Sequence, residues 1–279
     1  MSAVPAVAEP TGAVWLDFLK KWARIGGTKI FNFVAGLAIL VALWWLGVWY
    51  ITLDPALEHF RSFAPNRAIF EGIPAMWEFG GIQRGLGASG YRLGMGMLIA
   101  IAIGVPLGIL VGRSELFGDM THLPFQLLRM VSPLSWEPIA VIAFATWDRA
   151  IIFLIVMGAV WPVMFATAAG IAKIDPAWFK VARNLGAKRL HVLTQVILPA
   201  VTYDVLTGIR LAVGVAWIVL IPAEFFGTRA GIGYTIEDAR ENLFYDQMMG
   251  MIVLIGVIGY ILDTILVQLL NRANWVRET

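Results

Sequence analysis

The 279-residue chain contains no cysteine, which removes disulfide frameworks, thiolate nucleophiles and cysteine-bound metals from the chemistry open to it. Histidine is scarce as well. His59, His122 and His191 stand far apart, with no H-E-x-x-H spacing, and read as unrelated surface or interface side chains; no metal site is expected. No phosphate-binding G-x-x-x-x-G-K-[ST] occurs, and no G-x-G-x-x-G follows a strand pattern, so no catalytic residue and no bound cofactor is assigned to this chain. The third deficit is charge. Only 14% of residues are charged, against about a quarter in soluble domains, while 59% are hydrophobic and the mean hydropathy is +0.77. That balance describes a chain that crosses a membrane several times. The formal charge of +2 does not call for nucleic acid, because the basic residues gather at the ends of apolar runs, where membrane orientation accounts for them.

The apolar runs predict an all-α, polytopic membrane protein with six transmembrane helices, at about 31–51, 91–111, 123–145, 151–171, 206–222 and 248–270. Residues 1–12 are Ala/Pro-rich and expected to be disordered, and 15–29 read as a helix lying on the membrane face. No small-residue cleavage site follows the run that begins at Ile30, so the first span is expected to be retained. The loop 52–88 is too short for a catalytic domain. The second run is Gly-rich, which favours close helix contact, and is expected to break at Pro106. The third run is unusual, because Pro124, Pro133 and Pro138 interrupt it and Glu137 lies near its middle. Met130–Ile142 is therefore expected to face protein or a wet cavity and never lipid. The organisation predicted is a tail with an interfacial helix (1–30), a first span with its loop (31–88), a core of the remaining spans (89–270) and a short basic tail (271–279).

Charge sets the orientation. Residues 1–30 carry four basic and two acidic side chains, and 172–198 carry five basic and one acidic; 52–88 have three basic and four acidic, and 223–246 two basic and five acidic. The lysine-rich side should face the cytoplasm, which puts both termini there.

The stretch from Asp175 to Pro199 is a charged helical segment between apolar runs. Asp175 can cap a helix and Pro176 can open it, since proline lacks only an N–H that the first turn leaves unpaired. Trp178, Val181, Ala182 and Leu185 then repeat on one face, while Lys180, Arg183, Lys188 and Arg189 make the segment basic. Gly186 ends the run. This segment resembles the cytoplasmic signature E-A-A-x3-G-x9-I-x-L-P of bacterial ABC importer permeases: Lys180-Val181-Ala182, three residues, Gly186, nine residues, then Val196-Ile197-Leu198-Pro199. The spacing matches throughout, and Lys180, Val181 and Val196 depart from the family's Glu, Ala and Ile. The resemblance implies a type I importer permease whose coupling helix, at 175–190, sits in a groove of an ATPase subunit through Pro176, Trp178, Lys180, Val181, Ala182, Leu185, Gly186, Lys188 and Arg189.

Further matches narrow the likeness. SPLSWEPIAVIAF from Ser132, Ala159-Val160-Trp161-Pro162, TGIRLAVGVAW from Thr207, Ala223-Glu224 and GIGY from Gly231 look like the permeases of nitrate, sulfonate, taurine and bicarbonate importers. That likeness implies a subunit of the bacterial inner membrane that pairs with a second permease copy, as a homodimer, and receives solute from a periplasmic binding protein or lipoprotein. ATP and Mg would be bound by separate cytoplasmic ATPase subunits, and the cargo would be a small anion, nitrate or nitrite first, with bicarbonate, taurine or another sulfonate next. Glu137 departs from the apolar residue expected in that branch.

Trp136, Glu137, Trp161, Trp217 and Glu224 are the candidates for the translocation pathway, although tryptophan also concentrates at membrane interfaces and Glu224 also reads as an acid flanking a helix in water. Arg210 reads as a side chain snorkelling to headgroups. A secondary ion-coupled carrier stays open as an alternative of another class, with Glu137 and its prolines as the ion-site candidates.

Overall fold

The computed structural model describes residues 12–225 and 227–278, with side-chain surroundings for residue 28, 31–225 and 227–272. The expectation of disorder for the first residues lies outside these up to position 11. The described residues form helices and turns without a strand, and the chain divides into two compact units, Met1–Arg67 and Ala68–Thr279.

The first unit is one long helix, α1 (Gly12–Ile51), followed by a 3-10 stretch Pro55–Phe63 and the short turn α2 (Pro65–Arg67). The backbone stays helical through the boundary between the expected interfacial helix and the span. Phe31–Ile51 is apolar over 21 residues, about 32 Å at 1.5 Å per residue and so enough to cross a hydrocarbon core. Asp54 then turns the chain, its carboxylate accepting from the Ala56 N–H at 2.9 Å.

The second unit begins with a wide turn Ala68–Gly72 and α3 (Ile73–Glu78), and continues with α4 (Gly81–Arg113) and α5 (Glu115–Met130). A 3-10 turn Pro133–Trp136 leads into α6 (Glu137–Ala143), then α7 (Trp147–Ala172), α8 (Pro176–Asn184) and α9 (Arg189–Val192). A wide turn Leu193–Ile197 joins α9 to α10 (Leu198–Ala223), and α11 (Ile232–Glu241) and α12 (Tyr245–Glu278) complete it. The centre is α7, apolar on every side, with α4 along one flank and α10 along another. Ile151, Leu154, Ile155 and Val163 of α7 pack there with Ala100 of α4 and Ala212, Ala216 and Leu220 of α10.

Lipid tails are as apolar as these side chains, so the helices associate through close packing rather than escape from water. Gly108 of α4 shows how close. A Cβ there would stand 2.5 Å from the Met164 carbonyl oxygen and 2.6 Å from the Thr167 Cβ. Gly108→Val is therefore expected to cost about 1–3 kcal/mol or more through overpacking against backbone, measured as a lower thermal midpoint in detergent; an unchanged midpoint would mean that the two helices are not held at this distance.

Among the described residues five helical stretches are long and apolar enough to cross a membrane: Phe31–Ile51, Gly81–Arg113, Trp147–Ala172, Arg189–Ala223 and Tyr245–Arg272. The remaining expected span, 123–145, is not one continuous helix. It divides into α5 and α6 across Val131 and Ser132, whose ψ angles of 124° and 131° are extended. The residue before a proline is driven out of the helical region, and Ser132 precedes Pro133. The other prolines behave differently. α4 continues through Pro106, α5 through Pro124 and α7 through Pro162, while Pro138 occupies the first turn of α6, where its missing N–H costs nothing. The breaks expected at Pro106 and Pro124 are thus corrected, because a single lost helix bond is tolerated where neighbouring groups compensate.

Candidate functional site

At one end of the second unit, α8 is fixed by devices close in sequence. The Asp175 carboxylate accepts from the Ala177 N–H at 2.8 Å, and Pro176 holds the first helical position. At the other end Gly186 has φ of +72°, the Ala187 N–H donates to the Ala182 carbonyl at 3.0 Å and the Gly186 N–H to the Arg183 carbonyl at 3.0 Å. This pair of bonds around a left-handed glycine is a Schellman termination. It stops the helix and turns the chain into α9.

The helix is seated through Ala182, which is buried with Ile171, Ile174, Val192, Ile197 and Val201. Phe179 lies beneath the Arg113 guanidinium, 5.1 Å from ring centroid to Cζ, which links α8 to the end of α4. The outward face is apolar. Trp178, Val181 and Leu185 are exposed, Leu185 to 81%, and border an open groove of about 650 Å³ with Lys188, His191 and Gln195. Pro176, Lys180, Gly186, Lys188 and Arg189 are exposed around them. Of the residues assigned to ATPase coupling, Trp178, Val181, Leu185, Gly186 and Lys188 thus line one groove, with Ala182 as its buried anchor.

The residues assigned to the pathway sit on several elements, in different surroundings. Trp136 and Glu137 meet where the 3-10 turn enters α6; Trp136 packs on the central core, and Glu137 is half-buried without an ion pair or hydrogen bond among the described residues. Trp161 of α7 packs on Phe125 of α5, ring centroids 5.8 Å apart. Trp217 of α10 lies against α12, its Nε1 3.0 Å from where a Cβ on Gly259 would stand.

Glu224 is completely buried at the end of α10. It accepts from Arg92 Nη1 at 2.5 Å, from the Ser89 hydroxyl at 2.8 Å and from the Gly233 N–H at 3.0 Å. Arg92 in turn donates through Nε to Asp148 Oδ1 at 2.8 Å and through Nη1 to the Ala230 carbonyl at 2.8 Å, and the Ser89 hydroxyl accepts from the Ile232 N–H at 2.9 Å. This network binds α4, α7, α10 and α11 together at the end away from α8. Every buried side-chain nitrogen and oxygen among the described residues has a partner, as burial in an apolar bundle demands.

Sequence reading missed most of this network, and two further ion pairs. Lys173 Nζ and Asp204 Oδ1 approach to 2.5 Å near α8, and Arg210 of α10 grips Asp263 of α12 through Nε–Oδ1 at 2.7 Å and Nη2–Oδ2 at 2.8 Å. Arg210 does not snorkel. The available signal was the pairing of opposite charges inside apolar runs, Arg92, Asp204, Arg210 and Asp263 each standing among uncharged neighbours.

The family of binding-protein-dependent transport system inner membrane components matches residues 104–274. The bicarbonate transport system permease of Synechococcus elongatus is 38% identical over 66% of this chain and 68% of its own length. The nitrate import permease of Leptolyngbya laminosa is 32% identical over 80% of this chain and 75% of its own. A putative aliphatic sulfonates permease of Bacillus subtilis is 34% identical over 88% of each. Among solved structures, a chain of the MetNI methionine ABC transporter in an inward facing conformation superposes with a TM-score of 0.60 at 15% identity, over 72% of this chain and 98% of its own, a likeness of fold.

Proposed function

We propose, from the premise that this chain belongs to the family of binding-protein-dependent transport system inner membrane components, that α8 is the coupling helix through which ATPase subunits drive it. The chain is an ABC importer permease of the branch that holds nitrate, bicarbonate, sulfonate and taurine permeases. One observation carries the proposal: α8 is capped at both ends and anchored from beneath, yet leaves Trp178, Val181 and Leu185 uncovered. An isolated nine-residue helix has no reason to be held so firmly with an apolar face outward unless a partner covers that face.

In this reading α8 and both termini are cytoplasmic, consistent with the basic residues at 172–198, and the Arg92–Glu224 network lies at the outer mouth. ATP and Mg are bound and consumed on the partner subunits. A binding protein delivers solute to the outer loops, two permease copies enclose the path, and nucleotide-driven movement of α8 opens it to each side in turn. The broken stretch between α5 and α6 faces the path or the second copy, since Val131 and Ser132 leave backbone groups that lipid cannot satisfy. The cargo is a small anion, with nitrate or nitrite first and bicarbonate, taurine or another sulfonate next; the support is the likeness to permeases for bicarbonate, nitrate, sulfonates and taurine, at 28–38% identity.

Gly186→Trp tests the coupling role. A left-handed backbone costs an L residue about 1–2 kcal/mol, and no atom lies within 4 Å of a Cβ at this position, so the change perturbs the turn and the surface without crowding the core. The expected outcome is a stable permease that recovers less ATPase or hydrolyses ATP without moving solute. Unchanged complex yield and unchanged transport-coupled hydrolysis would place the interface elsewhere.

A further inference from the structure

Each of the ion pairs joining Lys173 to Asp204 and Arg92 to Glu224 and Asp148 has a member at a helix end, Lys173 closing α7, Asp148 in its first turn and Glu224 closing α10. Arg210–Asp263 does not. Arg210 is twelve residues beyond Leu198 and thirteen before Ala223 on α10, which places it about 18 to 20 Å from either end at 1.5 Å per residue. Asp263 stands inside the apolar stretch Tyr245–Arg272. Both side chains are half exposed, 40% and 51%. Hydrocarbon against such a pair is costly, because neither charge regains the water it lost. Water or a second polypeptide must therefore cover this surface.

The geometry indicates what it offers. Asp263 takes the Nε–H and one N–H of Nη2, which leaves both N–H groups of Nη1 and the second of Nη2 without an acceptor among the described residues. The carboxylate fixes the plane of the guanidinium and cancels its charge, while the donors on its other edge stay unused. Beside the pair the surface is open: a Cβ at Gly214, one turn along α10, or at Gly256, two turns along α12, would meet no atom within 4 Å.

We propose that the Arg210–Asp263 pair is an oxoanion station on the translocation path, a specificity-determining site that rests on the anion-importer reading above. A guanidinium edge matches two oxygens of a planar or tetrahedral oxoanion. Because Asp263 already neutralises Arg210, the anion is held by hydrogen bonds without a net opposite charge. A path needs such a hold, firm enough to admit the ion and weak enough to release it.

The test uses the whole importer, with its ATPase and binding protein, in proteoliposomes. Wild-type uptake of nitrate, bicarbonate and taurine reports on the anion reading; uptake of none of them overturns both proposals. The variant Arg210→Gln with Asp263→Asn keeps a hydrogen-bonded pair and strands no charge. Its assembly and its ATP hydrolysis are expected to match wild type while uptake falls about tenfold or more, the loss of a charge-assisted hydrogen bond to the anion. Unchanged uptake overturns the station, and so does an equal fall in uptake, assembly and hydrolysis, which would mark a structural clasp. Gly214→Cys, the sole thiol in the chain, gives a readout independent of that variant. It is expected to react with a membrane-impermeant anionic thiosulfonate in the resting or nucleotide-trapped complex, more slowly with excess nitrate. No reaction in either state, with quenching by a lipid-phase probe, puts this face in lipid and overturns the proposal.

Discussion

Arg92→Leu is expected to remove the folded permease from detergent extracts rather than merely slow it. The substitution strands Glu224, which is fully buried at the junction of α4, α10 and α11, and also frees Asp148 and the Ala230 carbonyl. Breaking a buried pair by removing one partner costs about 3–5 kcal/mol, a large share of the 5–15 kcal/mol that typically separates folded from unfolded domains. Ser89 and the Gly233 N–H still donate to Glu224, but two neutral donors do not replace a guanidinium. Monodisperse yield and thermal midpoint are the measurements. The control is Arg92→Leu with Glu224→Leu, which leaves no buried lone charge and should regain part of the loss. A single variant as stable as wild type would mean that the network is not closed as described.

The second large effect is expected at the other end. Trp178→Asp, Val181→Asp and Leu185→Asp, combined, should abolish recovery of the ATPase while leaving the permease itself as stable as before. These side chains are exposed and contribute little to the fold. The helix keeps its Asp175 cap, its Gly186 termination and its Ala182 anchor. Anchors at the centre of an interface cost about 2 kcal/mol or more each when truncated, so the combined change should weaken docking by well over a hundredfold. Lys180→Ala is the contrast: it removes a solvent-facing charge and should change recovery only a few-fold. Equal loss from Lys180→Ala and from the triple variant would argue against an apolar docking face.

Legibility followed distance along the chain. Everything that builds α8 lies within about a dozen residues, from Asp175 through Pro176 to Gly186, and each device acts through local backbone geometry, so sequence alone placed the start and the stop at Gly186, although the 175–190 expected for the coupling helix runs on into α9. Glu224 was legible only as an acid after an apolar run, because Ser89 and Arg92 are more than 130 residues away and nothing local announces them. Arg210 misled for the same reason. A lone arginine in a span can reach a headgroup or an acid on another helix, and only the packing of α10 on α12 brings Asp263 to it. The prolines divide the two cases. Pro106, Pro124 and Pro162 sit in helices that continue and Pro138 where one begins, whereas Pro133 marks a break because Val131 and Ser132 before it are both extended. Proline identity is visible in sequence, but whether neighbouring helices compensate for its missing N–H is a property of the bundle.

The most direct test of the account is uptake by the complete importer in proteoliposomes, with ATP and the binding protein supplied separately and together, and with imposed proton and sodium gradients as the comparison. ATP-powered import through α8 predicts that solute accumulates only when ATP and the loaded binding protein are both present, and that the triple variant of Trp178, Val181 and Leu185 abolishes it. Accumulation driven by an ion gradient without ATP, unaffected by that variant, would contradict the account and restore the secondary-carrier reading.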